Sequence, residues 1–266
     1  PWKSDASRIK ACPMDRSLAS TTPSEYITRC MSDSLPDPSK GQVRLPFEFL
    51  REPDRNFEKG GRSFYFFDFD DNVVHLPTKI VVFHKSGQGE KEINTTDFAL
   101  LAKDIGQKGT EWEDYELREA NDGSYRNFRE QPKLALHEQP LIVDMEAALK
   151  VPFLEWRGPS WDFFWHAVHN TRPIAVITAR GQHPHTIRRA IDKLVLSRDL
   201  SSHPNYLSVY PVSHPETRKA LGDPDFKWST AQLKKAAIQR AVRDAFECYG
   251  ENPHHRFGMS DDDPHN

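Results

Sequence analysis

The sequence has few cysteines and no long apolar segment. Its three cysteines, Cys12, Cys30 and Cys248, are widely spaced and form no CxxC pair. This argues against both a disulfide framework and a thiolate zinc site, and it favours a reducing compartment. No apolar run is long enough to cross a bilayer, and the N-terminus lacks the apolar core of a signal peptide. We therefore expect a soluble, cytoplasmic protein with no membrane partner.

An excess of positive charge is also absent. The chain carries 36 basic and 39 acidic residues, which gives a formal net charge of -3. No field of one sign is available to attract a phosphate backbone without regard to base sequence. The composition therefore does not support nucleic acid as a partner.

Regular structure is expected to begin late in the chain. Prolines are frequent among Ser, Thr, Asp and Arg near the N-terminus, and no period of a helix or strand is sustained there. This composition predicts a disordered or extended tail over residues 1–45, followed by a domain over residues 46–266. The chain begins at Pro1 and ends directly after an acidic motif. We expect it to be a fragment of a longer reading frame with a truncated C-terminus, and Met31 is a candidate natural start.

Several short apolar runs, bounded by Pro, Gly or charge, have the pattern of strands that are covered on both faces of a parallel sheet. They are 63-SFYFFD, 141-LIVD, 173-PIAVITAR, 206-YLSVYPVS and 256-RFGMSDDD. The second run also fits a helix start, because MEAALK follows it. Helical patterns begin at Pro159, at Pro184 and, most strongly, at Ser229, and the last of these ends at Gly250. Strand and helix alternate from about residue 173 onward, which predicts a doubly wound, Rossmann-like α/β sheet.

The segment 74–140 departs from this alternation. It is polar, charged and interrupted, and its sequence 85-KSGQGEKE is typical of a hairpin tip. We interpret it as a cap-like insertion after the first core strand. Such an insertion can lie over the sheet edge as a lid and select the substrate.

Acidic residues follow the first and last of the apolar runs. Side chains alternate along an extended segment, so Asp68 and Asp70 should project together while Asp71 points away. The triplet 261–263 ends the last run in the same way. Carboxylates about 4 Å apart repel by roughly 4 kcal/mol at an effective dielectric near 20, so convergence of the two groups would demand a cation. Oxygen ligands alone favour Mg2+. Either acidic group by itself is more typical of a solvated turn, and its position after a buried strand is what favours a site.

These features resemble the haloacid dehalogenase-like (HAD) superfamily of phosphatases and phosphotransferases over residues 63–266. Its first motif is matched by 68-DFDDNV, although Asn72 stands where Thr or Val is usual. Its second motif, an apolar strand ending in Ser or Thr, is matched by 174-IAVIT, which ends at Thr178. Its third is a lysine at a helix start, and its fourth is an acidic pair. They are matched by 233-LKKAA and 258-GMSDDD.

The resemblance implies a role for each matched residue. Asp68 would be the nucleophile that forms an aspartyl-phosphate, and Asp70 would protonate the leaving oxygen and later activate water. Neighbouring anions and burial are expected to favour this by raising the pKa of Asp70. Asp68, the backbone carbonyl of Asp70, Asp261 and Asp262 would hold Mg2+. Thr178 would bind a phosphoryl oxygen, and the lysine would stabilise both that oxygen and the nucleophile.

Two of these assignments have alternatives within the sequence. Lys234 is favoured over Lys235 because it lies four residues before Ile238, on the helix face expected to pack inward. In the acidic triplet, alignment on the acidic pair selects Asp261 and Asp262. Alignment on Gly258 would instead promote Asp263 and place Met259 where an acid is expected.

Other residues near these motifs have structural interpretations. Arg180 follows Thr178 at the same sheet edge and would either clamp a substrate anion or form a structural salt bridge. His183 and His185 are more typical of helix capping than of substrate contact. The aromatic cluster after the insertion is interpreted as core packing. It comprises Trp156, Trp161, Phe163, Phe164 and Trp165.

The function that the resemblance implies is a Mg2+-dependent phosphomonoester hydrolase acting on a small phosphorylated substrate. Members that cleave carbon–halogen bonds lack the second acid of the first motif, so Asp70 favours phosphate. A transfer to an alcohol instead of water is a close variant. The alternatives are an inactive metal-binding or regulatory module and an end-processing phosphatase on nucleic acid.

Overall fold

A computed structural model describes residues 51–261, and a four-stranded parallel sheet forms the core of this part of the chain. The strands are β1 Ser63–Phe67, β2 Lys79–His84, β3 Glu90–Asn94, β4 Tyr115–Glu116, β5 Pro173–Thr178, β6 Asn205–Pro211 and β7 Arg256–Ser260. The helices are α1 Thr95–Leu101, α2 Pro140–Ala148, α3 Phe153–Trp156, α4 Trp161–His169, α5 Pro184–Leu196, α6 Pro215–Leu221 and α7 Thr230–Tyr249. Short 3-10 helices lie at Phe57–Lys59, Ala102–Asp104, Arg126–Phe128 and Leu136–Glu138. The predicted tail, residues 1–45, lies outside the described residues.

The order of the parallel sheet is β6-β5-β1-β7. The chain therefore moves outward from β1 through β5 to β6, and then crosses to the other side of β1 to add β7. This reversal makes the carboxyl ends of β1 and β7 the switch point, the place where open α/β sheets bind ligands. The four strands predicted at residues 63, 173, 206 and 256 are confirmed, and the fold is α/β with a Rossmann-like parallel sheet.

Both faces of the central strands β1 and β5 are covered, as their continuous apolar runs require. The edge strand β7 is exposed from Arg256 to Met259, so the burial on both faces expected for that run is wrong. Phe64 and Phe66 of β1 face one core, together with the row Leu233, Ala237, Ala241 and Ala245 of α7. Phe67 faces the other core, which α2, α4 and α5 close. The four-residue spacing of the α7 row places these side chains on one stripe, and the alanines let the helix backbone approach the sheet closely. A capping box between Ser229 and Gln232 begins this helix.

The run 141-LIVD is helical, so the strand predicted there is wrong and the alternative helix start is confirmed. It lies in α2, with Pro140 in the first helical turn. Leu141, Ile142, Met145 and Ala148 are its buried residues. This spacing of three and four is the helical period, which the four-residue run alone was too short to display.

The insertion contains its own three-stranded antiparallel sheet, in the order β3-β2-β4. The predicted hairpin tip is confirmed, because the amide of His84 donates to the carbonyl of Gly89 at 3.1 Å between β2 and β3. The buried residues Ile80, Val81 and Val82 anchor this sheet through β2. Within residues 51–261, no helix is long and apolar enough to span a membrane.

Candidate active site

Asp68 and Asp261 meet at the carboxyl ends of β1 and β7. The two strands pair in parallel with Phe67 opposite Ser260, so the next residue of each strand carries an acid at the same edge. The amide of Asp68 donates to the carbonyl of Ser260 at 2.9 Å, which continues the ladder to the acids themselves. Two carboxylates from distant parts of the chain therefore lie side by side.

The ammonium of Lys234 bridges these carboxylates. Its Nζ lies 2.8 Å from Oδ2 of Asp68 and 2.9 Å from Oδ2 of Asp261. Lys234 is in the first turns of α7 and only 3% of it is exposed, whereas the next residue, Lys235, is exposed. The structure thus places Lys234 and not Lys235 at the acids, on the inward helix face that its spacing from Ile238 indicates.

Burial raises the pKa of Asp68, whereas the neighbouring carboxylates decide the pKa of Lys234. Asp68 is 6% exposed, and its burial raises the pKa of the carboxyl from 3.8 to about 7; the charge and hydrogen bond of Lys234 oppose the rise, while Asp70 and Asp261 add to it. Burial alone would lower the pKa of Lys234, but the charges of Asp68 and Asp261 outweigh it and raise that pKa. The lysine therefore remains a cation that neutralises part of the acidic cluster.

Asp70 is held by a second cation, Arg180. The Nε of Arg180 lies 2.8 and 2.9 Å from the two carboxylate oxygens, and its Nη2 lies 2.7 Å from Oδ1. The hydroxyl of Thr178 donates to Oδ2 of the same carboxylate at 3.0 Å. Asp70 thus binds Thr178 and Arg180, the two side chains that were expected to contact substrate. Of the two roles predicted for Arg180, a substrate clamp or a salt bridge, the structure contains the salt bridge.

Arg180 is itself almost fully enclosed, with 1% of its surface exposed. Its Nη2 donates to Oγ1 of Thr78 at 2.7 Å, and that hydroxyl donates to Oδ2 of Asp144 at 2.6 Å. The ring of Phe128 covers the guanidinium, 4.8 Å from Cζ. Nη1 has no hydrogen-bond partner among residues 51–261. Sequence reasoning missed Thr78, Phe128 and Asp144, because only the fold brings them to the arginine.

Two further residues near the motifs, Asp71 and His183, have contacts of their own. Asp71 adopts a left-handed φ of 56°, and its Oδ1 lies 3.2 Å from Nδ1 of His75, a partner outside the acidic cluster. The capping role of His183 is confirmed, since its Nδ1 accepts the amide of His185 at 3.1 Å at the start of α5.

Four of the five residues of the aromatic cluster pack in or against the core as predicted, and one does not. Trp156, Trp161 and Phe164 are buried in the core, and Trp165 packs against it. Core packing is wrong for Phe163, which is 64% exposed on the outer face of α4.

The possible metal ligands at this edge of the sheet are of the chemical type that a hard cation such as Mg2+ prefers. Asp68 and Asp261 offer only carboxylate oxygens, and the positive charge of Lys234 already lies between them. Within the described range 51–261, no group of three or more His, Cys, Asp or Glu side chains is arranged to hold a metal ion. Asp262 and Asp263, from which a further ligand was expected, lie outside that range.

A cleft of about 420 Å3 opens beside the cluster. Lys234 and Asp261 are among the residues that line it, and Ile238 of α7 and Met259 of β7 supply apolar surface. Gln232, Lys235 and Gln239 line it as well. The cleft therefore reaches the Asp261 carboxylate and the Lys234 ammonium, although both side chains are largely buried.

Together, the fold and the site define an α/β protein with a Rossmann-like parallel sheet and a carboxylate–lysine cluster at its carboxyl edge. In comparisons with known proteins, no family model matches the sequence, and neither a curated protein nor a solved structure matches the chain.

Proposed function

We propose that the protein is a Mg2+-dependent phosphomonoester hydrolase that acts through an aspartyl-phosphate on Asp68. One observation carries the proposal: the ammonium of Lys234 joins Asp68, 166 residues away in the chain, to Asp261, 27 residues away. Isolated acidic turns would not converge on one buried lysine at the switch point of the sheet. The same convergence is what the HAD-like motifs require.

In the first step, a carboxylate oxygen of Asp68 attacks phosphorus and the bond from phosphorus to the leaving oxygen breaks. The leaving oxygen receives a proton from the carboxyl of Asp70, so an alcohol departs and Asp68 carries the phosphoryl group. In the second step, Asp70 accepts a proton from water as that water attacks phosphorus. The bond from phosphorus to Asp68 then breaks, which releases inorganic phosphate and restores the carboxylate.

Lys234 stabilises the negative charge that gathers around Asp68 in both steps. Its bonds to Asp68 and Asp261 hold the ammonium where it can also meet a phosphoryl oxygen, and its raised pKa keeps the ammonium charged at neutral pH. Asp68 and Asp261, with the Asp70 carbonyl and Asp262, are the groups that would hold Mg2+. A bound Mg2+ would screen the nucleophile from the incoming phosphate and neutralise charge on the transferring group.

Asp70 has to exchange partners to serve as acid and base. In the structure its carboxylate is bound by Arg180 and Thr178. We infer that a phosphoryl oxygen takes over the hydroxyl of Thr178 and that the leaving oxygen then meets the freed carboxylate oxygen. Arg180 keeps the carboxylate oriented during this exchange, since its Nη2 remains anchored to Thr78.

We further propose that the insertion acts as a lid. Its end contacts the loop after β5: the amide of Gly181 donates to the carbonyl of Phe128 at 2.8 Å. Phe128 in turn covers Arg180. A movement of this segment would displace Phe128 from Arg180, which binds Asp70. Closure of the lid would in this way be coupled to the position of the proposed general acid.

The test is phosphate release from a panel of small phosphate esters, with Mg2+ and with EDTA. Wild type should release phosphate only with Mg2+, and Asp68→Asn should abolish release. Asp71→Asn is the matched control, because Asp71 directly follows Asp70 in the chain but its side chain contacts His75 instead of the cluster. Circular dichroism verifies that each variant is folded.

Two outcomes would contradict the proposal. Release that persists in folded Asp68→Asn would exclude this residue as the nucleophile. Mg2+ binding by calorimetry without release from any ester would favour the binding or regulatory module, in which the bonds of Asp70 to Arg180 and Thr178 are permanent.

A further inference from the structure

Asn72, the position at which the first motif departs from the HAD pattern, is almost fully buried, with 1% of its surface exposed. Its Nδ2 donates to the carbonyl of Asp68 at 3.1 Å and to the carbonyl of Ser260 at 2.9 Å. The first carbonyl belongs to the proposed nucleophile, and the second belongs to the residue before Asp261. One amide group therefore joins the backbone at Asp68 to the backbone just before Asp261, and the Ser260 carbonyl that it reaches is 188 positions from Asn72 in the sequence.

The other end of the Asn72 side chain is equally engaged. Its Oδ1 accepts the hydroxyl of Ser160 at 2.7 Å and the hydroxyl of Ser260 at 3.2 Å, and these two hydroxyls also contact each other. A primary amide has two donor hydrogens and an oxygen with two lone pairs, so all four positions have partners. The side chain is thereby held by the turn after β1, by the end of β7 and by the start of α4.

The surrounding backbone is built around this side chain. The amide of Ser160 donates to the carbonyl of Asn72 at 2.8 Å, and the amide of Gly158 donates to the carbonyl of Val73 at 2.9 Å. A Cβ on Gly158 would lie 2.3 Å from the Asn72 carbonyl, closer than any real contact, so the close approach requires glycine. Three chain segments thus converge at the base of the acidic cluster.

We propose that Asn72 is a positioning residue that sets the spacing between Asp68 and Asp261. Threonine, with one hydroxyl hydrogen, cannot donate to both carbonyls, and valine cannot donate at all. The asparagine therefore adds a cross-strand tie that the usual residues at this position lack. This proposal rests on the proposed function, because spacing matters for chemistry only if the two carboxylates act together on phosphate and Mg2+.

A purely structural role predicts something different from a positioning role. If Asn72 only completes a turn, its loss lowers stability and leaves the acids where they are. If it sets their spacing, its loss also separates Lys234 from one of its two carboxylates, since the lysine can bridge them only while the ends of β1 and β7 stay in register.

The experiment compares Asn72→Ala and Asn72→Thr with Asn170→Ala. Asn170 is the matched control: it is also buried, and its Nδ2 donates to the carbonyl of His166 at the far end of α4. All three variants should lose stability in urea. Only the Asn72 variants should lose the slowly exchanging NMR signal of the Lys234 ammonium, measured in EDTA. If Asn72→Ala does not fold, Asn72→Thr, which retains one donor, carries the comparison.

Metal binding and kinetics complete the test. Mg2+ affinity by calorimetry should fall about 10- to 100-fold in Asn72→Ala, and kcat should fall by a similar factor while KM changes little. Unchanged Lys234 signal and Mg2+ affinity in a folded but less stable Asn72→Ala would overturn the positioning role. If wild type itself releases no phosphate, the proposed function fails separately. The Lys234 signal then decides alone, because it depends on neither metal nor substrate.

Discussion

Arg180 and Asp70 form a forked ion pair at the carboxyl edge of the sheet, with Nε of the arginine 2.8 and 2.9 Å from the two oxygens of the aspartate. The arginine is 1% exposed and the aspartate side chain 20%, so the pair joins the interior to the site. A planar guanidinium can hold a carboxylate in one orientation, which a lysine ammonium cannot.

Arg180→Lys is therefore expected to reduce phosphate release more than it reduces substrate binding. The new ammonium would keep the charge but lose the fork, so Asp70 would be misoriented as acid and base. We expect kcat to fall about 100-fold, the range for a positioned proton donor, with a smaller change in KM. Steady-state kinetics on the best ester of the panel measures both. Equal kcat in the variant would show that orientation by Arg180 is unimportant.

Lys234→Met should destabilise the metal-free protein. Removing the ammonium leaves Asp68 and Asp261 buried and facing each other without a cation, and losing one partner of a buried ion pair costs about 3–5 kcal/mol. Urea unfolding in EDTA measures the change. Lys235→Met, at an exposed position one residue further on, should change the free energy of unfolding by no more than about 0.5 kcal/mol. Similar losses in the two variants would contradict the bridging role of Lys234.

Asp68 should make the stability of the metal-free protein depend on pH. Burial raises its pKa from 3.8 to about 7, so between these values the folded protein binds a proton that the unfolded chain does not. Its contribution to stability is therefore fully present below the lower value and is lost as the pH rises through the higher one.

The variant Asp68→Asn removes this titration. Between about pH 5 and about pH 8, the free energy of unfolding of wild type should fall relative to that of Asp68→Asn by roughly 2–3 kcal/mol. Urea titrations at both pH values in EDTA measure the difference, and Asp71→Asn is the control for loss of an acid nearby. A difference between Asp68→Asn and wild type that does not change with pH would contradict the raised pKa.

Added Mg2+ should stabilise the folded protein through the acidic cluster. A ligand that binds only the folded state at 100 times its Kd adds about 2.7 kcal/mol, which appears as a higher Tm. Asp261→Asn should remove most of this gain, because one of the two described carboxylates is then lost. Thermal unfolding with increasing Mg2+ and with K+ at equal ionic strength is the measurement. A gain of the same size in Asp261→Asn would place the ion elsewhere.

The parallel sheet was predictable because β1 and β5 are buried on both faces and therefore are continuous apolar runs. The insertion sheet was not, since β3 is almost entirely exposed and its residues, EKEIN, have the composition of a loop. The start of helix α2 also fits a strand in sequence, because a run of four apolar residues cannot distinguish a period of 2 from one of 3.6.

The acidic cluster was predictable to the extent that its residues lie in recognisable motifs. Asp68 and Asp261 are predictable from their positions at strand ends, whereas Lys234 is predictable only from the resemblance to the HAD-like motifs. The hydrogen bond from Arg180 to Thr78 was not predictable, because the two residues are 102 positions apart and no sequence motif contains both. Contacts of this kind depend on how the insertion folds back, which no local pattern encodes.

Because β1 is hydrogen-bonded to a neighbour on each side and covered on both faces, its amides should exchange with solvent only when the whole domain opens. Asp68 extends this strand by one residue. The carboxylate proposed as the nucleophile is therefore attached to a strand that should open only together with the whole sheet. In the proposed reaction, the motion that admits and releases a substrate would come from the segments around this strand.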